Sequence, residues 1–136
     1  VIEFRPGKSG EEAQIGMLLR EEEMDLAEDT WAADYMVAID GAEVVGCLRI
    51  LDLDDCYYLE SLAVRKDRRR RGVGRQLVSQ FKGKKIVVIS RGTSNGFYRS
   101  LGFQNSSWDI VPPQYRGQCR DCPDFEHCQP LVLVKC

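Results

Sequence analysis

Long apolar runs are missing from this 136-residue chain. No stretch approaches the ~18 to 20 consecutive apolar residues that a bilayer-crossing helix needs, so no membrane partner is expected. The N-terminus lacks a basic region leading into an apolar core of the secretory type, which makes the cytoplasm the expected compartment. Histidine is almost absent: His127 is the only one and stands far along the chain. Cys47 and Cys56 therefore have no neighbouring base to activate a thiolate and read as small apolar fillers. A basic surplus is missing as well, since 19 Lys and Arg stand against 21 Asp and Glu for a net charge of −2. A dedicated nucleic-acid binder carries an excess of positive charge over its domain, so no nucleic-acid partner is expected. Internal repeats and low-complexity segments are also lacking. What remains is a chain with 43% hydrophobic residues, enough to bury one core and not two, which reads as a single domain over residues 1–136.

The pattern along that chain mixes strands and helices. Residues 1–4 suit a short strand ended by Pro6-Gly7, and 11–24 carry Ile15, Leu18 and Leu19 at helical spacing between charged positions. Residues 35–39 read as a strand, Asp40-Gly41 as a hairpin turn into a strand over 44–50, and 52–55 as a second polar turn into a strand over 57–64. Val73, Leu77, Val78 and Phe81 place an apolar face on a short helix. The continuous apolar run 86–89 has the character of a strand buried on both faces. Residues 95–101 look helical up to Gly102, 103–111 are expected as a strand, Pro112-Pro113 as an irregular loop, and 131–135 as a last strand. An antiparallel meander followed by a strand–helix–strand unit implies an α/β, or mixed α+β, sheet flanked by helices.

The feature richest in chemistry is the run Arg69-Arg70-Arg71-Gly72-Val73-Gly74 between the 57–64 strand and the helix that follows. Glycines there let the backbone approach a ligand closely and aim successive N–H groups at phosphate oxygens. The helix adds its positive end, and Arg69, Arg70, Arg71 and Arg75 add charge and forked donors. No Gly-Lys-Ser/Thr follows, so the loop is not a P-loop, and Leu77 stands where a dinucleotide fingerprint needs its third glycine. The run matches Arg/Gln-x-x-Gly-x-Gly/Ala. With "YYLESLAV" ahead of it and "NGFYRSLGF" at 95–103 behind it, the chain resembles the GNAT superfamily of N-acetyltransferases.

That resemblance implies a GNAT fold, a mostly antiparallel central sheet whose fourth and fifth strands splay apart to hold acetyl-CoA as cosubstrate. By matching positions, backbone groups of Leu62, Ala63 and Val64 would meet the pantetheine arm. Residues Arg69, Arg70, Arg71, Gly72, Val73, Gly74 and Arg75 would hold the pyrophosphate. Asn95 is expected to contact the cofactor in place of the family's asparagine, whose position Arg91 occupies. Tyr98 corresponds to the tyrosine that protonates the CoA sulfur; the alternative is an aromatic packing residue beside Phe97 and Phe103. Glu60 shares a face with Leu62 and Val64 by period two and is expected as general base, with an ordinary polar residue or a ligand for the substrate ammonium as alternatives. The thioester carbonyl would be polarised by the N–H of Leu62 or Val64.

The tail departs from the family. Residues 117–136 contain Cys119, Cys122, His127, Cys128 and Cys136, whose spacing suits a structural zinc clip, reduced thiols or, least in keeping with a cytosolic protein, a disulfide. The expected activity is transfer of an acetyl group to a primary amine by direct attack in a ternary complex, in a monomer or homodimer. A small amine or amino acid is the favoured acceptor, with a protein or peptide amine and a non-catalytic acyl-CoA-binding module as alternatives. Trp31, Tyr35 and Glu21, Glu22 and Glu23 are expected near the acceptor side, the glutamates otherwise being a solvated helix face.

Overall fold

The computed structural model describes residues 1–120, 122, 123, 126 and 129–136, without the side chains of Thr93, Gln118, Cys119 and Arg120. Its elements in chain order are β1 (Ile2–Pro6), α1 (Glu12–Glu21), β2 (Met36–Asp40), β3 (Glu43–Asp52), β4 (Tyr57–Val64), α2 (Val73–Ser79), β5 (Ile86–Ser90), α3 (Asn95–Ser100), β6 (Gln104–Asn105), α4 (Pro113–Arg120) and β7 (Leu131–Lys135). The strands form one mixed sheet in the order β1-β2-β3-β4-β5-β7-β6. The mixed α/β class with flanking helices is the one the sequence pattern predicts. No helix among the described residues is long and apolar enough to cross a membrane. The chain divides into two compact units, residues 1–51 with 60–82, and residues 52–59 with 83–136.

In the first unit β1 pairs antiparallel with β2, and β2 with β3, where the register slips by one residue between Ala38 and Ile39. Helix α1 buries Ile15, Leu18 and Leu19, spaced three and four apart, against Val37, Ile39, Val44, Cys47 and Ala63. Truncating a side chain such as Leu19 here costs roughly 2 to 5 kcal/mol. The helix stops at Glu21 rather than at residue 24. Glu23 turns left-handed at φ 60°, and the Met24 N–H donates back to the Leu19 carbonyl at 2.8 Å. That turn brings Met24 and Leu26 back onto the same core. Gly46 lets α2 lie close on β3, because a Cβ there would stand 3.1 Å from Val73 and 3.2 Å from Leu77. The helix after the arginine run is thereby seated by its own apolar face.

In the second unit β5 is central: it pairs parallel with β4 on one side and antiparallel with β7 on the other. The β4–β5 register runs Tyr57↔Ile86, Tyr58↔Val87 and Leu59↔Val88, three residues into a strand of eight. The strand expected over 103–111 is reduced to Gln104–Asn105. Beyond it the Ser107 hydroxyl accepts from the Asp109 N–H at 3.0 Å and opens a 3₁₀ turn over Trp108–Ile110. A serine able to cap a turn outcompetes the strand ladder. Pro113 likewise begins α4 instead of an irregular loop, since a proline's fixed φ and missing N–H suit the first turn of a helix.

Candidate functional site

The arginine run adopts a turn that few sequences would take unaided. A 3₁₀ turn over Lys66–Arg68 leads to Arg69 in extended conformation, then to Arg70 at φ 63° and Gly72 at φ 79°, both left-handed. Helix α2 starts at once, its first bond running from the Gln76 N–H to the Gly72 carbonyl at 2.9 Å. The N–H groups of Val73, Gly74 and Arg75 in that first turn have no intrahelical acceptor.

The arginines divide into two sets. Arg65 donates to Asp67 at 2.7 and 3.0 Å and to Glu43 at 2.8 Å. Arg68 pairs with Asp40 and holds that carboxyl below its usual range. Arg69 donates to the Val64 carbonyl at 3.1 Å and pairs with Glu22. These three fasten the turn to the β2–β3 hairpin, to the end of β4 and to the end of α1. Arg70 and Arg71 are exposed and make no ion pair among the described residues. Arg70 and Arg71 thus face solvent beside the start of α2, where Arg75 is also exposed. Such a cluster can bind a multiply charged anion through charge and backbone N–H groups together.

Strand β4 alternates cleanly at its end: Ser61 and Ala63 are buried, while Glu60, Leu62 and Val64 are partly exposed. Glu60 accepts a hydrogen bond from Arg49 Nη1 of β3 at 2.6 Å, with side chains 25% and 18% exposed respectively. Among the described residues the Nε and Nη2 groups of Arg49 donate to no protein acceptor. Ser61 next to Glu60 carries a buried hydroxyl with no hydrogen-bond partner among the described residues. The sequence reading missed Arg49 and Ser61. The signal for Arg49 is a single charge inside the otherwise apolar run 44–51; for Ser61 it is a hydroxyl among buried alternating positions.

Tyr98 lies on α3 in the second unit, buried between Phe97 and Phe103 with ring centroids 5.1 and 5.3 Å away in edge contacts. Burial pushes its phenol well above the usual tyrosine value, so it stays protonated across any physiological range. Asn95 at the start of the same helix accepts from the Ser90 hydroxyl at 2.7 Å, which orients its amide. Arg91 is exposed.

Elsewhere the sequence candidates separate. Tyr35 is a core residue at 1% exposure, its hydroxyl accepting from the Ala27 N–H at 3.4 Å, and it is not a surface group. Trp31 is 71% exposed, and Glu22 is engaged by Arg69. Burial pushes the Cys47 thiol up to about 12 and raises that of Cys56, which fits inert fillers. Of the proposed zinc ligands, His127, Cys128 and the side chain of Cys119 lie outside the described residues. Cys122 and Cys136 are exposed free thiols, and no group of three metal-ligating side chains forms among the described residues.

Comparison with known proteins supplies the context for these parts. A family model described as an acetyltransferase (GNAT) domain matches residues 31–105. An uncharacterized N-acetyltransferase of Chlorobaculum tepidum is 25% identical over 115 residues, covering 75% of this chain and 70% of that one. N-acetylglutamate synthase from Neisseria gonorrhoeae, solved with coenzyme A and N-acetyl-glutamate, superposes with a TM-score of 0.81 at 19% identity. The match covers 99% of this chain and 35% of the synthase, so this chain spans about a third of that protein's length. The ribosomal-protein-S18-alanine N-acetyltransferase of Escherichia coli gives a TM-score of 0.68 at 15% identity, covering 98% and 91% of the two chains. At these identities the structural matches speak for the fold alone.

Proposed function

From a chain that belongs to the GNAT acetyltransferase family, we infer an acetyl-CoA-dependent N-acetyltransferase acting on a primary amine, with a small amine or amino acid as the favoured acceptor. The observation that carries this reading is the turn over 69–74, left-handed at Arg70 and Gly72, with Arg70 and Arg71 exposed and in no ion pair among the described residues beside the first turn of α2. Three arginines already fasten that turn to its own unit, so its remaining charge is available to a pyrophosphate. The peptide groups of Leu62, Ala63 and Val64, beyond the register that β4 shares with β5, suit the amides of a pantetheine arm. Asn95, fixed by Ser90, has an amide N–H left to give to the same cofactor.

Chemically, the amine nitrogen must lose its ammonium proton and attack the thioester carbonyl. A new C–N bond forms, the C–S bond breaks, the thiolate takes up a proton, and the nitrogen gives up its second proton, which replaces through solvent the one given to sulfur. In this reading Glu60 accepts the ammonium proton and the protonated phenol of Tyr98 supplies the one for sulfur, each step contributing typically ~10²- to 10⁴-fold. The N–H of Leu62 or Val64 faces the developing oxyanion. Holding amine and thioester in line does the rest, with no covalent enzyme intermediate.

The Arg49–Glu60 pair favours one other reading, because the carboxylate proposed as base is already occupied by a guanidinium: a non-catalytic module that binds acyl-CoA. Calorimetry with acetyl-CoA, followed by thiol release across amines, amino acids and peptides, separates the two. Binding with thiol release on an acceptor supports the transferase, binding without release on any acceptor supports the module, and absence of binding removes both.

A further inference from the structure

Resting on the transferase reading, we propose that Arg49 is the acceptor-carboxylate site of this enzyme, and that the acceptor is therefore an amino acid bearing a carboxylate close to its reactive amine. The fold does not choose the acceptor: proteins that share it have been solved with an acetylated amino acid or bear the name of a ribosomal-protein alanine acetyltransferase. The choice has to come from side chains, and between its terminal Glu43 and Asp52 strand β3 carries one charge, Arg49.

A guanidinium presents five N–H donors in a fixed fork. Arg49 uses Nη1 for Glu60 at 2.6 Å and leaves Nε and Nη2 without a protein acceptor among the described residues, although its side chain is only 18% exposed. A charge covered to that degree is expected to have its donors satisfied, and here the edge of the fork is still open. The pair makes a poor structural device, since ion pairs removed from water roughly break even against apolar replacements of similar volume. An edge of two parallel N–H donors matches a carboxylate bidentately, the geometry in which arginine surpasses lysine.

An amino acid fits this pair as a counterpart with both charges. Its carboxylate meets the open edge of Arg49 while its ammonium meets the carboxylate of Glu60, so each protein charge keeps a partner when the direct contact loosens. Glu60 then exchanges a permanent cation for one that can give up a proton. This connects acceptor recognition to the proton transfer assigned to Glu60, because the base is released by the substrate it serves.

The test is the initial rate of thiol release from acetyl-CoA with matched acceptors: an L-amino acid, its α-carboxamide and its decarboxylated amine, for side chains of several sizes. Loss of a charge-assisted hydrogen bond in the carboxamide should lower kcat/KM by about tenfold or more relative to the acid. Arg49→Gln should bring that ratio close to one, and Arg49→Lys, which keeps the charge and loses the fork, should restore part of it. The wild-type panel stands without either variant folding. Equal rates for acid and carboxamide, a preference for peptides or decarboxylated amines, or a ratio that survives Arg49→Gln would each overturn the proposal. Transfer to carboxylate-free amines alone would do so while leaving the transferase intact, whereas absence of acetyl-CoA binding by calorimetry would remove both.

Discussion

The two compact units are held by different physics. The first is laced with ion pairs, Arg5 with Glu11, Arg49 with Glu60, Arg65 with Glu43 and Asp67, Arg68 with Asp40 and Arg69 with Glu22. The second pairs Lys84 with Asp52 and carries the ring contacts, Tyr58 stacked on Tyr115 at 4.2 Å and Tyr98 between Phe97 and Phe103. Each proposed proton-transfer group takes its character from its own surroundings. Glu60 sits against a fixed cation, the guanidinium of Arg49. Tyr98 sits among apolar rings, which disfavour the phenolate and preserve the acid.

The sharpest way to break that comparison is to remove the phenol and leave its packing. Tyr98→Phe keeps both edge contacts, so the second unit should melt as before and acetyl-CoA affinity should barely change. Turnover should fall by about 10²-fold if the hydroxyl protonates the leaving sulfur. A variant with wild-type kcat would reduce Tyr98 to a packing residue.

Acid should act on the first unit through Glu11. Its carboxylate receives both Arg5 Nη groups, at 2.9 and 2.8 Å, and the Lys8 N–H at 2.7 Å, and the Arg5 hydrogen bonds hold its carboxyl down at about 2. A folded value below the unfolded one means that this stabilisation is complete above the ordinary carboxylate range and is lost as pH falls toward 2. Denaturation followed between about pH 5 and 2 should therefore show a slope that Glu11→Gln flattens, and at neutral pH the substitution should cost roughly 2 kcal/mol. Equal stability of variant and wild type at pH 7 would mean that the contact contributes nothing.

How much of this was legible beforehand follows the same division between local and distant causes. Strands β4 and β7 appear over the residues their patterns predict, and the glycine turn begins α2 where the motif places it. These signals are local, set by side-chain alternation and by residues that tolerate positive φ. Residues 103–111 and Pro112-Pro113 misled because serine capping and proline's place at a helix start compete with strand and loop readings of the same letters. The division of the arginines could not be read at all. Which of five neighbouring guanidinium groups finds a carboxylate depends on Asp40, Glu43 and Glu22, brought up from more than twenty residues away by the hairpin and by the end of α1.

That division of the arginines makes a prediction of its own. Arg70→Ala and Arg71→Ala should each weaken acetyl-CoA binding several-fold, an effect of about 1 kcal/mol, and should flatten its salt dependence while leaving the melting temperature alone. Arg68→Ala should show the reverse emphasis, because Asp40 would lose its partner and the turn one of its fastenings. Equal effects of all three on affinity and stability would erase the distinction between fastening and binding arginines.

The smallest effect tests a buried hydroxyl of the first unit. The Ser61 hydroxyl is buried with no hydrogen-bond partner among the described residues, and an unsatisfied buried hydroxyl is a cost that alanine removes. Ser61→Ala should leave stability unchanged or raise it by up to about 1 kcal/mol in the free protein. A clear loss of stability would show that the hydroxyl has a partner in solution. If instead stability holds and KM for the acceptor rises, the hydroxyl is kept for a ligand, and β4 contributes to recognition through Ser61 as well as through Glu60.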